Sequence, residues 1–92
     1  MTFIVCVSEI AQEALEKLSP TDYDFCTKKI RWALEENPYP GHSGDKEKLS
    51  ENKYRLHISR TYTVLYRINE EKKVVRVYLF GTIGKMHKCY DD

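Results

Sequence analysis

The chain has 92 residues, of which 41% are hydrophobic and 32% charged, with a formal net charge of +1. That size builds one hydrophobic core, so a single domain over residues 1–92 is expected, and the composition excludes a disordered or low-complexity chain. No apolar run approaches the ~18 residues of a membrane span, and the N-terminus lacks a basic region followed by a signal-peptide core, so the expectation is a cytoplasmic protein with no membrane partner.

Residues 2–7 (TFIVCV) form a continuous apolar run, read as a short strand buried on both faces, with Cys6 a buried small hydrophobe. Ser8 is placed to cap a helix that begins at Glu9 and carries Ile10, Ala14, Leu15 and Leu18 at helical spacing. Ser19-Pro20-Thr21-Asp22 closes it and opens a second helix: Ser19 is a natural N-cap, Pro20 fits the first turn, and Asp22 suits the positive helix end. Tyr23, Cys26, Ile30, Ala33 and Leu34 then form one apolar stripe. Trp32 lies off that stripe, among charges, where either a partner contact or partial burial against a loop fits. Packed against each other, the two helices make an antiparallel hairpin.

Asn37-Pro38-Tyr39-Pro40-Gly41 breaks the second helix. The polar segment up to Asn52 reads as irregular, with a short turn near Leu49, and His42 within it has no metal-ligand companions. From there the period changes to alternation. Tyr54, Leu56 and Ile58 alternate with Arg55, His57 and Ser59, and Tyr62, Val64, Tyr66 and Ile68 with Thr63, Leu65 and Arg67, as in half-buried strands. The tyrosines on that apolar phase are expected in the core. Residues 69–73 make a charged hairpin turn, residues 74–80 a third strand, and residues 86–90 a last short one. The fold class is therefore α+β: an N-terminal strand, a two-helix antiparallel hairpin, then a three- to four-stranded antiparallel meander with the helices on one face.

Charge is unevenly spread along this order. Residues 53–67 contain Lys53, Arg55, His57, Arg60 and Arg67 without one acid, and the C-terminal segment adds Lys85, His87 and Lys88 before Asp91 and Asp92. A basic stripe on one surface is expected. Cys6, Cys26 and Cys89 are odd in number and widely spaced, so reduced thiols are expected, and no Cys/His cluster has the spacing of a metal site. No metal or other cofactor is expected.

The segment from Leu49 to Tyr90 resembles the RelE/ParE toxin superfamily. The residues that carry the resemblance are Leu49, Tyr54-Arg55-Leu56-His57-Ile58, Tyr62-Thr63-Val64-Leu65-Tyr66, Ile83-Gly84 and Tyr90, against a family pattern of roughly YRLRI, YRVIY, a charged turn and IGHRxxVY. The N-terminal strand and helix pair agree in order and length, so the likeness spans nearly the whole chain. It implies the RelE-like fold and a toxin of a type II toxin–antitoxin system, held by a cognate antitoxin and acting, where active, on mRNA at the ribosome.

Active RelE-like members cut mRNA without a metal, through attack of a ribose 2′-hydroxyl on the adjacent phosphate. The resemblance places Arg55, His57 and Tyr90 at the catalytic site, and Lys53, Arg60, Lys85, His87 and Lys88 of the basic segments are the candidate RNA-binding cations. It also exposes two departures: Thr63 and Met86 stand where the pattern has arginines, and a neutral side chain cannot replace a planar bidentate cation. The alternative is therefore a protein of the same fold without nuclease activity, either a gyrase-directed ParE-like inhibitor or a degenerate toxin that only binds its antitoxin. A third reading is a plain RNA-binding module using the basic stripe.

Overall fold

The computed structural model describes residues 2–41 and 43–84. His42, the basic residues Lys85, His87 and Lys88, Met86, Tyr90 and the last strand expected over residues 86–90 lie outside them.

In chain order the elements are β1 (Ile4–Val7), α1 (Glu9–Glu16), α2 (Pro20–Leu34), β2 (Asp45–Ser50), β3 (Lys53–Ile58), β4 (Tyr62–Asn69) and β5 (Val74–Thr82). The strands form one sheet in the order β1-β5-β4-β3-β2. Strands β2 to β5 make an antiparallel meander, and β1 returns to pair parallel with β5, Val5 opposite Val75 and Val7 opposite Val77. The sheet is therefore mixed, and both helices are consigned to one face of it, as expected of α+β patterning.

Both helices begin where their caps predict. The Ser8 hydroxyl accepts from the Ala11 N–H at 3.1 Å, and the Ser19 hydroxyl accepts from the Asp22 N–H at 3.2 Å. Each satisfies one of the N–H groups that a helix start leaves without a partner. Ser8 also docks the helix: its hydroxyl donates to the Tyr78 carbonyl at 3.1 Å and its N–H to the Val77 carbonyl at 2.9 Å. From α1 only Ala11 and Leu15, four residues apart, are buried; from α2, Cys26, Ile30, Ala33 and Leu34 are. These meet Tyr54, Leu56, Ile58, Val64, Tyr66, Val75 and Val77 from the sheet in one cluster. Tyr66 is fully buried and its hydroxyl donates to the Pro38 carbonyl at 2.6 Å, which satisfies the polar end of a core ring.

Three expectations change. Strand β1 is not buried on both faces: it is an edge strand, Ile4 is 64% exposed and Cys6 is exposed too, while Val5 and Val7 pack against the core. Ile10 is exposed because the face of α1 that meets the sheet runs through Ala11 and Leu15 instead. The fourth meander strand comes from residues 45–50, which read as irregular, and it forms the sheet edge beyond β3. Its sequence, DKEKLS, has too few apolar residues to signal a strand, yet charged residues are what an exposed edge tolerates.

Lys46 fixes that edge. Alternation along β2 turns Lys46 inward, and its ammonium donates to the Ala33 carbonyl at 2.7 Å and the Asn37 carbonyl at 2.5 Å. The first is in the last turn of α2, where unpaired carbonyls carry the negative end of the helix dipole. Replacing Lys46 with Met keeps the chain length and removes the donors. We expect Lys46→Met to lower unfolding stability by about 1–3 kcal/mol, the usual cost of stranding buried polar groups. Burial lowers the Lys46 pKa from 10.5 to about 8, so between those values the unfolded chain binds more protons and stability from this residue rises with pH. Denaturant midpoints of the two proteins should therefore diverge further between pH 8 and 10, and a gap that narrows over that range would contradict the assignment.

Candidate functional site

Strand β3 splits its side chains between two faces. Tyr54, Leu56 and Ile58 are buried against the helices, and Lys53, Arg55 and His57 project from the opposite face. Residues two apart on a strand are separated by about 7 Å along the backbone, yet here the side chains converge: Arg55 Nη1 lies 3.1 Å from His57 Nε2.

What stands beside them was not legible in the sequence. The β2–β3 register sets Asp45 opposite His57 and Glu47 opposite Arg55. Glu47 Oε2 is 3.3 Å from Arg55 Nη2, and Asp45 Oδ2 is 3.6 Å from His57 Nδ1. The stretch that is free of acids along the chain is thus bordered by acids in space, which corrects the expected basic stripe at this edge. The signal that could have found them is the alternation Asp45-Lys46-Glu47-Lys48: its period of two suits an edge strand with its acids on one face.

These contacts assign the states of the groups. Burial, then the Arg55 guanidinium, push the His57 pKa below 6.5, against a smaller opposing pull from Asp45 and Glu47. The ring is therefore neutral near pH 7. A guanidinium can only donate, so Nε2 is the accepting nitrogen beside Arg55 and Nδ1 carries the proton towards Asp45. Arg55 Nε is buried with no hydrogen-bond partner among the described residues, so the guanidinium is not fully satisfied where it rests.

On the other side of β3, Thr63 faces His57 and Leu65 faces Arg55. Thr63 occupies one of the two positions where the family pattern has arginine, and it is completely buried, offering a neutral hydroxyl beside the imidazole. Lys53 is half-buried on the same face, at the far end of β3, in register with Ser50. Arg60 sits in the β3–β4 turn at φ 60°, off the strand positions that carry Arg55 and His57. Lys85, His87, Lys88 and Tyr90 lie outside the described residues, so Arg55 and His57 are the two catalytic candidates brought together.

At the end of β3 the sheet edge opens into a cleft of about 290 Å³ whose lining includes Lys29, Trp32, Gly44, Asp45, His57 and Ser59. Trp32 is 53% exposed there. Among the described residues no three His, Cys, Asp or Glu side chains gather as a metal site, and no helix is long and apolar enough to cross a membrane.

Comparison with known proteins gives nothing by sequence: no family model and no curated protein matches. Comparison of structures is decisive. A chain of the archaeal RelE–RelB complex from Pyrococcus horikoshii OT3 superposes with a TM-score of 0.77 at 27% identity, over 92% of this chain and 99% of that one. The fold is RelE-like. A chain of the intact E. coli RelBE toxin–antitoxin complex matches this RelE-like chain at TM-score 0.69 and 25% identity, over 86% of this chain and 94% of that one. A chain of the toxin–antitoxin complex RelBE2 from Mycobacterium tuberculosis shares the fold at TM-score 0.72 and 21% identity, over 89% and 92% of the two chains.

The Arg55–His57–Asp45 arrangement makes a signed prediction. Replacing Arg55 with Ala removes a cation that opposes protonation, so the His57 pKa should rise; replacing Asp45 with Asn removes an acid that favours it, so the pKa should fall. Proton NMR titration of the His57 ring in the two variants reads both. Shifts of the opposite sign in both would overturn the geometry.

Proposed function

We infer that this chain is the toxin of a type II toxin–antitoxin pair, and that it inhibits translation by ribosome-dependent cleavage of mRNA. The carrying observation is the pair formed by a neutral, half-buried His57 and the Arg55 guanidinium 3.1 Å away on the face of the sheet opposite the helices. The RelE-like fold, found in solved complexes of RelE with RelB, supports the toxin reading and a cognate antitoxin as partner.

The chemistry needs a base for the 2′-hydroxyl proton, positive charge for the phosphorane, and an acid for the departing 5′-oxygen. In the resting arrangement Arg55 is shared between Glu47 and His57 Nε2. The Glu47 carboxylate is 57% exposed, and ion pairs of that kind are worth about 0–1 kcal/mol. An entering phosphate offers the guanidinium a bidentate partner of its own, a stronger contact than Glu47 makes. As Arg55 turns to the phosphate it leaves His57 Nε2, which becomes the nitrogen that takes the 2′-hydroxyl proton. Asp45, beside Nδ1, stabilises the imidazolium that results. The 2′-oxygen bonds to phosphorus and the bond to the 5′-oxygen breaks; the departing oxygen takes a proton from water while His57 keeps the 2′ proton, and a 2′,3′-cyclic phosphate and a 5′-hydroxyl end are left. Tyr90 is the further residue assigned to this site by resemblance, Lys85, His87 and Lys88 are further candidate cations, and Lys53 and Arg60 would hold flanking phosphates.

One observation favours the second reading, a toxin-fold protein without nuclease activity. Thr63 is neutral, fully buried and paired with His57 across β3 and β4, so a cation of the active family pattern is missing at the position opposite the base.

Induced expression followed by mapping of mRNA 5′ ends on ribosomes separates the two. Breaks within the A-site codon are expected, with single-turnover rates lowered roughly 10²- to 10⁴-fold in His57→Ala, the range for loss of a general acid or base, and roughly 10²- to 10³-fold in Arg55→Ala, the range for loss of one charge-stabilising donor. Because the base must be unprotonated and burial and Arg55 lower its pKa, the rate should persist to lower pH than an unperturbed histidine base would allow. Growth arrest without A-site breaks would remove the nuclease reading and leave the non-nuclease one.

A further inference from the structure

The surface of α2 is anomalous for a helix that packs on a sheet. Phe25 is 40% exposed and Trp32 53% exposed, and the Lys29 ammonium lies 5.7 Å from the centre of the first ring and 4.7 Å from that of the second. The three alternate as aromatic, cation, aromatic along the exposed side of the helix. Trp32 and Lys29 also line the cleft that reaches His57 at the end of β3. The aromatic ladder thus ends at a cleft, at the edge of the sheet, whose lining includes the candidate base His57.

The floor of the cleft is built to keep it open and narrow. Gly44 has φ +89°, and a Cβ there would lie 3.1 Å from both Ala33 Cβ and Leu56 Cδ1 and 3.7 Å from the Trp32 ring. Only glycine accepts that conformation without strain while letting the loop lie against α2. Around this floor the lining is completed by Trp32, Lys29, Asp45 and Ser59, with Ala33, Leu56 and Ile58 as its apolar part. Resting on the proposed nuclease function, we propose that this cleft is a subsite for one unstacked nucleobase of the single-stranded RNA, with Trp32 as its stacking platform and Lys29 meeting the phosphate next to it.

The chemistry of the lining favours a base over an apolar protein side chain. The lining sets apolar Ala33, Leu56 and Ile58 beside the ionisable Lys29 and Asp45, a mixture that suits a flat amphipathic ring better than a purely apolar side chain. A base satisfies both: its flat face covers the indole, its amino group donates to a carboxylate, and its phosphate pairs with the ammonium. A carboxylate also discriminates. Adenine, cytosine and guanine carry exocyclic amino groups to donate and uracil does not, so uracil should bind least well.

Trp32 is the sole tryptophan of the chain, which makes its fluorescence a direct report on the cleft. The probes are short oligoadenylate and oligouridylate with 2′-O-methyl riboses, which bind without being cut, added to the full chain. Saturable quenching by the adenylate is expected, and weaker quenching by the uridylate. By anisotropy of a labelled adenylate, Trp32→Ala should weaken binding roughly 5- to 150-fold, the range for loss of one base–aromatic stack. Trp32→Phe should retain most of it, and circular dichroism of both variants reports whether they are folded.

Binding with neither quenching nor an effect of Trp32→Ala would overturn the subsite, as would no binding of either probe. A Trp32 signal that responds to a partner protein and not to RNA would also overturn it, and would make the α2 surface a protein interface. Failure of the parent reading looks different. Quenching and a Trp32→Ala effect in a protein that never cuts mRNA on ribosomes would sustain the subsite and remove the nuclease, whereas cutting with a silent Trp32 would do the reverse.

Discussion

The arrangement at the candidate site depends on a buried lysine at the edge of the sheet. Lys46 faces inward from β2 and holds two carbonyls, Ala33 in the last turn of α2 at 2.7 Å and Asn37 just beyond the helix at 2.5 Å. Its neighbours Asp45 and Glu47 must then face outward, because side chains alternate along a strand. The pairing register carries those two acids to His57 and Arg55. One inward ammonium thus sets the strand, the strand sets the acids, and the acids orient the imidazole and park the guanidinium. A slip of one residue in β2 would bury both acids and expose the lysine, so the register is strongly specified.

The site is accordingly balanced and not simply basic. Arg55 rests between Glu47 and His57 with its Nε unsatisfied, and the neutral imidazole keeps its accepting nitrogen beside it. In this picture a phosphate replaces one weak, exposed contact with a stronger one and exposes the base as it does so. Proton abstraction would then follow engagement of the RNA backbone. Thr63 marks the cost: the cation that the active family pattern sets beside the base is absent, and on the proposed function the phosphate's charge would be met by Arg55 and the other candidate cations.

Much of the fold was legible in the sequence. Ser8 and Ser19 declared both helix starts through their caps, Cys26, Ile30, Ala33 and Leu34 declared the buried stripe of α2, and the alternation at residues 54–58 declared both faces of β3. Two elements were misread, β1 in its burial and β2 in its existence, for one physical reason: edge strands bury few side chains, so hydrophobic pattern misreports them. β1 looked more buried than it is because its residues are all apolar, and β2 looked irregular because its residues are mostly charged. Of the site, Arg55 and His57 were visible as a same-face pair, whereas Asp45 and Glu47 were invisible until the register was known. Trp32 was seen off the apolar stripe, but its nearness to His57 comes from the loop through Gly44, which no local pattern encodes.

The chemistry at the centre of the proposal can be tested with the substrate in place of the protein. Purified ribosomes programmed with an mRNA are incubated with the toxin, beside an identical mRNA that carries a single 2′-deoxyribose at the nucleotide before the scissile phosphate. If His57 takes a proton from the 2′-hydroxyl, the all-ribose message is cut in the A-site codon with a 2′,3′-cyclic phosphate end and the deoxy message survives intact. Cutting of the deoxy message, or no cutting of either, would contradict it.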